Sequence, residues 1–412
     1  MNAADNAWVL AASALVLIMT PGLALFYGGM TRSKNVLSTM MHSFFLIALA
    51  SILWLFYGFS LSFAPDAFKG LIGGTDYFGL AKIGADLFPD LLDPSKTMTI
   101  PGSTFMIFQC MFAVITPALI SGAFAERMKF SSFIVFMVLW MTLVYYPVCH
   151  WVWGPGGWIS GLGAMDFAGG TVVHINAGMA ALACAFLVGP RKGYPTTPMI
   201  PHNLTLTLLG AALLWFGWFG FNAGSALTAG TGAAMAFVVT HMATCAAALS
   251  WMIAEWIIKG KPTTLGLASG AVAGLVAITP ASGFVGPIPS VIIGAVAGVV
   301  CYLAVLLKSS LGYDDSLDVV GVHAVGGIWG ALATGLFASK LINEAGSDGL
   351  FFGNPGQLGT QAIAVAATII WSFVISFVIL YVIKAIMGLR VTEEEEIVGV
   401  DTSVHGEAGY TL

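Results

Sequence analysis

Eleven times along this chain a run of roughly 20 residues passes with almost no charge in it, the length an α-helix needs to cross a hydrocarbon core of about 30 Å. The windows are 7–30, 37–62, 103–125, 130–152, 171–189, 204–223, 232–257, 264–281, 288–307, 317–339 and 358–387. No soluble packing hides so much apolar surface. Only 8% of the 412 residues are charged and 58% are hydrophobic, where a soluble domain carries about 25% charge. The expected fold is therefore an all-α polytopic membrane protein of eleven transmembrane helices over 1–387, followed by a polar tail over 388–412. Many of the 50 glycines sit inside the apolar runs, as in GAVAGLVAI, which suits closely packed membrane helices. The last window is long enough to tilt or to project from the bilayer. The longest polar insert, 63–102, holds Asp66, Asp76, Asp86, Asp90 and Asp93.

Basic residues orient the spans. Arg32 and Lys34, Arg127 and Lys129, Arg191 and Lys192, Lys259 and Lys261, and Lys308 follow the odd windows, and Lys384 with Arg390 closes the eleventh. The alternate loops hold only Lys69, Lys82, Lys96 and Lys340. By the positive-inside rule the N-terminus is outside and the C-terminus inside. The start, MNAADNAWVL, lacks a basic region and a small-residue cleavage site, so no signal peptide is expected. A net charge of −5 argues against a nucleic-acid partner. Cys110, Cys149, Cys184, Cys245 and Cys301 fall in or beside apolar runs without metal spacing and read as reduced core residues.

A repeat lies in the pattern. The fifth window is preceded by Asp166 and carries His174; the tenth opens near Asp318 and carries His323. Spans one to five and six to ten would then be two halves. Because five is odd, the halves would be inverted, with a substrate path between them near the midplane. Ionisable groups inside a membrane are costly and usually line such a path. Two imidazoles meeting on the pseudo-axis could share a proton. Two histidines without a third ligand do not make a zinc site, so no metal or other cofactor is expected. Asp166 and Asp318 suit helix capping, through backbone N–H groups and the dipole, better than direct substrate contact. Of the other histidines, His42 and His150 stand near helix ends, His202 in a loop and His405 in the tail. His241 reads as a core group bonded to a neighbouring helix.

Aromatic residues form a second constellation. Trp218, Phe221 and Ser225 share one helical face by i, i+3, i+7 spacing, and Phe108 and Phe112 are four apart and expected to stack. Trp153 lies at the end of span four, near Trp151 and Trp158. Such rings can be interfacial anchors. Facing an inner vestibule, they can instead bind a cation through their faces, with a hydroxyl to accept one hydrogen bond. That combination favours a small cation that also donates hydrogen bonds. No nucleophile–base pair is visible, and an enzyme is not expected.

Several long motifs resemble the ammonium transporter family (Amt/Mep/Rh), in its bacterial Amt form. They are PGLALFYGG at 21–29, ISGAFAER at 120–127, DFAGGTVVHI at 166–175, GWFGFNAGSA at 217–226, DVVGVHAVGG at 318–327, and GLRV and HGEAGY in the tail. The resemblance runs along nearly the whole chain and implies an inverted-repeat homotrimer in the cell (inner) membrane, with one pore per subunit. It implies that Phe112, Trp153 and Ser225 recruit ammonium, with Asp166 supporting that substrate-binding site. Phe112 and Phe221 would close the pore below, beside Phe108 and Trp218. His174 and His323 would line the narrow apolar pore that passes ammonia, with the proton moving separately. It also implies that the tail packs under the pores and that a cytosolic PII-type regulatory protein plugs that face. A sensor that binds ammonium with little flux, and an electroneutral ammonia gas channel, stay open as rival readings.

Overall fold

The computed structural model describes residues 1–91 and 95–410; Asp93 of the insert and the last two residues of the tail lie outside them. The described residues form a helical bundle. Its long helices are α1 (Ala3–Met30), α2 (Ser33–Phe63), α3 (Gly102–Phe124), α4 (130–153), α5 (Gly170–Val188), α6 (Leu204–Gly224), α7 (Thr231–Lys259), α8 (Thr264–Ile278), α9 (Pro287–Ser310), α10 (Val320–Phe337) and α11 (Pro355–Met387). Ten are long and apolar enough to cross a membrane. The remaining one, α8, has 15 residues, about 22 Å at 1.5 Å per residue. Its window was expected to run to 281. Pro280 cannot supply the next helical N–H, so the helix stops before it. Eleven of its residues are buried, so α8 packs inside the bundle and need not match the thickness of a bilayer.

Close backbone contact organises the bundle. Helix α1 lies along α6, where a Cβ on Gly210 would sit 2.2 Å from the Phe26 amide nitrogen. Helix α5 crosses α10 in the same way. A Cβ on Gly178 would stand 2.4 Å from the Ala324 nitrogen, and one on Gly327 would stand 3.1 Å from Cβ of His174. Each glycine follows its own helix's histidine by four residues, so one turn of each helix rests on the other. Outward, the bundle presents apolar side chains such as Phe56, Phe216, Ile257 and Ile370.

Two features were not expected. Part of the insert forms a small antiparallel pair, β1 (Leu87–Pro89) and β2 (Thr97–Pro101), with Leu87 opposite Pro101. The Asn2 amide donates to the Thr99 carbonyl at 2.8 Å and the Thr99 hydroxyl to Asp5 at 2.6 Å, so this pair also secures the start of α1. In addition, α2, α4, α5 and α10 each contain a π turn, at Trp54–Gly58, Met141–Tyr145, Gly170–Ile175 and Val320–Ala324. Such turns widen a helix by one residue and often mark functional positions.

At the end of the bundle opposite the insert, charge is buried in pairs. Arg191 grips Asp314 with two side-chain bonds of 2.8 Å, and Arg32 donates to Glu126 at 2.7 Å. The Arg127 guanidinium reaches the carbonyls of Gly189 and Asp314 and the Ser316 hydroxyl. Burial works against the Asp314 charge, yet Arg191 and Arg127 hold its carboxyl below the usual range. The tail lies against this network. Its helices α12 (Glu393–Val398) and α13 (Val400–His405) are short. Buried Glu396 accepts the Lys192 amide at 2.7 Å and Arg390 at 2.5 Å. Buried Asp401 accepts the amides of Leu37 and Ser38 at 2.9 and 2.8 Å, capping the second turn-start of α2. Tyr410 meets His202 at 2.9 Å.

Candidate functional site

Near the insert end, α3, α4 and the residue that caps the end of α6 meet at a cavity of about 540 Å³: Phe112, Trp153 and Ser225, with Asp166 and Gln109 also on its wall. The Trp153 indole donates to the Asp166 carbonyl at 2.8 Å, which fixes the ring at the cavity edge. Phe112 meets Trp153 edge-on at 5.8 Å and 87°. The Ser225 hydroxyl donates to the Phe221 carbonyl at 2.8 Å, so its lone pairs are the part left for a guest. The cavity therefore offers aromatic rings and one hydroxyl acceptor, a set suited to a small hydrogen-bonding cation.

Asp166 is built into the backbone. Its carboxylate accepts the amides of Gly169, Gly170 and Thr171 at 2.8, 2.6 and 2.8 Å, a longer bond from Val172, and the Thr171 hydroxyl. It caps α5 and supports the cavity wall, with no free carboxylate oxygen facing a ligand. The expected counterpart, Asp318, does not cap α10. It pairs with Lys308 and stands at φ 64°. The cap is Asp315, which accepts the Val320 amide at 2.7 Å. Asp315 precedes His323 by eight residues, as Asp166 precedes His174, and Gly169 matches Asp318 as the positive-φ residue three positions on. Burial pushes the Asp315 carboxyl up to about 6.

Beneath the cavity the rings close up. Phe112 and Phe221 touch at 4.4 Å with a 41° tilt. Phe108 meets Phe112 at 69°, edge-on rather than stacked as expected, because quadrupoles favour an edge against a face. Phe221 contacts Trp218 at 5.1 Å. His174 lies nearly parallel to Trp218, 5.3 Å away at 19°, and to His323, 5.3 Å away at 22°. The two Nδ1 atoms are 3.3 Å apart, which fits one N–H donor facing one acceptor. Both rings are buried, and Nε2 of His174 has no protein partner. Past His323, a narrow apolar space bounded by Tyr27, Val272 and Val322 leads towards Asp318. Asp318 also lines a cavity of about 280 Å³ at the tail end. The order along this line is cavity, ring pair, histidine pair, apolar gap, second cavity.

The other histidines stand apart from this line. His150 bonds the Ser62 carbonyl at 2.9 Å. His42 sits among Phe124, Phe130 and Phe133, and His405 lies against Phe130. His241 is not the core group expected. It is exposed on α7, with its ring 5.4 Å from that of Trp215. All five cysteines are free; Cys245, beside His241, is only half-buried. Two groups with a part in this geometry escaped the sequence reading, Asp315 and Thr279, whose hydroxyl accepts the Trp218 indole N–H at 2.9 Å. The spacing of eight to His323 could have revealed the first.

The family model described as the Ammonium Transporter Family matches residues 7–410. The chain belongs to the ammonium transporter family. It is 54% identical to a Bacillus subtilis (strain 168) protein named ammonium transporter, over all of this chain and 99% of that one. The solved structure of Saccharomyces cerevisiae Mep2 superposes with a TM-score of 0.88 at 36% identity, covering 96% of this chain and 88% of that one. A structure titled Sensor Amt Protein gives 0.87 at 32% identity, covering 97% and 98%. The transporter is thus a multi-pass membrane protein whose function is ammonium transport rather than enzymatic catalysis.

Proposed function

We propose that this transporter recruits ammonium at Phe112, Trp153 and Ser225, removes a proton, and conducts ammonia past Phe112 and Phe221 along His174 and His323. The proton crosses separately, and uptake is electrogenic. The observation that carries the reading is the 3.3 Å histidine pair lying between two cavities and enclosed by apolar rings. An alkali ion stripped of water there would meet a desolvation cost of several kcal/mol. Ammonium escapes that cost by leaving its proton behind. Ammonia can then exchange hydrogen bonds with imidazole, and a protonatable ring pair is a route for the charge.

In this reading the N-terminus is outside and the tail inside, as the distribution of Lys and Arg supports. Helices α1–α5 and α6–α10 form an inverted repeat, supported by the matched Asp166/His174 and Asp315/His323 spacings and by the pairing of α1 with α6 and α5 with α10. Residues 1–387 are the conducting domain of one subunit of a homotrimer. The tail, 388–412, is a cytosolic regulatory element, and a PII-type protein binds beneath it.

The test is current recording on proteoliposomes with ammonium, methylammonium and potassium. Wild type should carry ammonium current and exclude potassium. Replacing both His174 and His323 with apolar residues should abolish the ammonium current; wild-type current in that variant overturns the relay. The resemblance to a structure titled Sensor Amt Protein motivates a second reading, a sensor with little flux. Absence of both current and ammonia flux in well-folded wild type would favour it.

A further inference from the structure

His174 lacks the usual second anchor of a functional imidazole. Its Nδ1 faces His323, and its Nε2 has no protein partner, so no hydrogen bond to the surrounding protein sets the plane of its ring. What sets the plane is stacking. Trp218, Phe221 and His323 lie within 19–22° of parallel to it. A stack orients a ring only if one member is itself fixed. Phe221 and His323 have no such tether to the scaffold. Trp218 does: its indole N–H donates to the Thr279 hydroxyl at 2.9 Å. That hydroxyl in turn donates to the Leu275 carbonyl at 2.7 Å, so its proton is committed and its lone pair points at the indole. Thr279 is wholly buried and sits where α8 ends, one residue before Pro280.

We propose that Thr279 is a positioning residue for the pore. Resting on the histidine reading above, it acts through Trp218 to hold the ring of His174 parallel to His323, and so holds the two Nδ1 atoms at bonding distance. Thr279 contacts neither the recruitment cavity nor the histidines. Its loss should therefore lower the maximal rate and leave the half-saturating ammonium concentration alone, since Phe112, Trp153 and Ser225 are untouched.

The experiment compares Thr279→Val, Thr279→Ser and His174→Phe in proteoliposomes, with ammonium current as the readout. Valine keeps the shape and removes the acceptor; it leaves a buried indole N–H unpaired, and should cut maximal current about tenfold with KM unchanged. Serine restores the acceptor and should restore the current, which a purely space-filling role would not predict. Wild-type maximal current in Thr279→Val while His174→Phe is impaired overturns the positioning role alone. Wild-type current in both overturns the histidine reading itself. If the valine variant does not fold, Trp218→Phe, which removes the donor from the other side, should give the same loss of rate at constant KM. An unchanged rate or a raised KM there refutes the proposal.

Discussion

Glu396 should act as the pin that keeps the tail docked. It is buried, and its two oxygens serve two different partners: Oε1 takes the Lys192 amide at 2.7 Å and Oε2 takes Arg390 at 2.5 Å. Glu396→Gln retains one acceptor but presents an amide NH₂ to one of these donors. The charge-assisted bond to Arg390 would be worth about 1.5–3 kcal/mol if fully enclosed. Arg390 is partly exposed, so solvent screening reduces this to about 1–2 kcal/mol. The undocked population should therefore rise about 5- to 30-fold. Hydrogen–deuterium exchange reads this directly, because the Glu396 and Gly399 amides bond to Thr392 and Glu395 only while α12 is formed. Their exchange should accelerate by that factor. Glu393→Gln is the control. Its carboxylate pairs with Lys192 in the open, so the same amides should keep their wild-type rates. Unchanged exchange in Glu396→Gln, or equal acceleration in both variants, would refute the reasoning.

Three further outcomes follow from the geometry. Trp153→Leu should weaken discrimination for ammonium by about 1–2 kcal/mol, seen as a shift in half-saturating concentration. Gly178→Ala should destabilise the fold by about 1–3 kcal/mol in thermal unfolding in detergent, since the new methyl would meet the Ala324 backbone at 2.4 Å. For Asp315, burial raises the folded carboxyl to about 6 from 3.8, so the folded state holds a proton that the unfolded chain has released. Stability from this group is full below pH ~4 and falls by about 3 kcal/mol as pH rises to ~6. Asp315→Asn should remove that slope, measured as the difference between the two unfolding profiles.

The spans were legible because each is a long apolar run, and hydropathy reports length directly. What hydropathy cannot report is where a helix sits. Helix α8 reads like its neighbours, yet it is short and interior because Pro280 stops it and small residues let others close around it. The π turns at His174 and His323 are equally silent, since one extra residue in a uniformly apolar helix leaves no mark on periodicity. Asp318 was mistaken for the cap because it is the acid nearest the helix. In DDSLD the choice turns on backbone geometry, and only the eight-residue spacing singles out Asp315. The convergence of Phe112, Trp153 and Ser225 from three helices came from resemblance to a family, because no local pattern links positions so far apart in the chain.

The contact of Gly178 with Ala324 and of Gly327 with His174 leaves the two histidine-bearing helices no room to slide or roll. A transporter that exposes its substrate to each side in turn must rock one half against the other, and such collective motions take microseconds to milliseconds. Here the two histidine-bearing helices meet with Gly178 set directly against the Ala324 backbone. In the reading proposed above, what closes the way is a pair of single rings, Phe112 and Phe221, and side-chain rotations are faster by orders of magnitude where packing allows them. Throughput would then be governed by how often a phenyl ring swings aside, and cooling or a stiffer bilayer should slow it far less than it slows a rocking carrier.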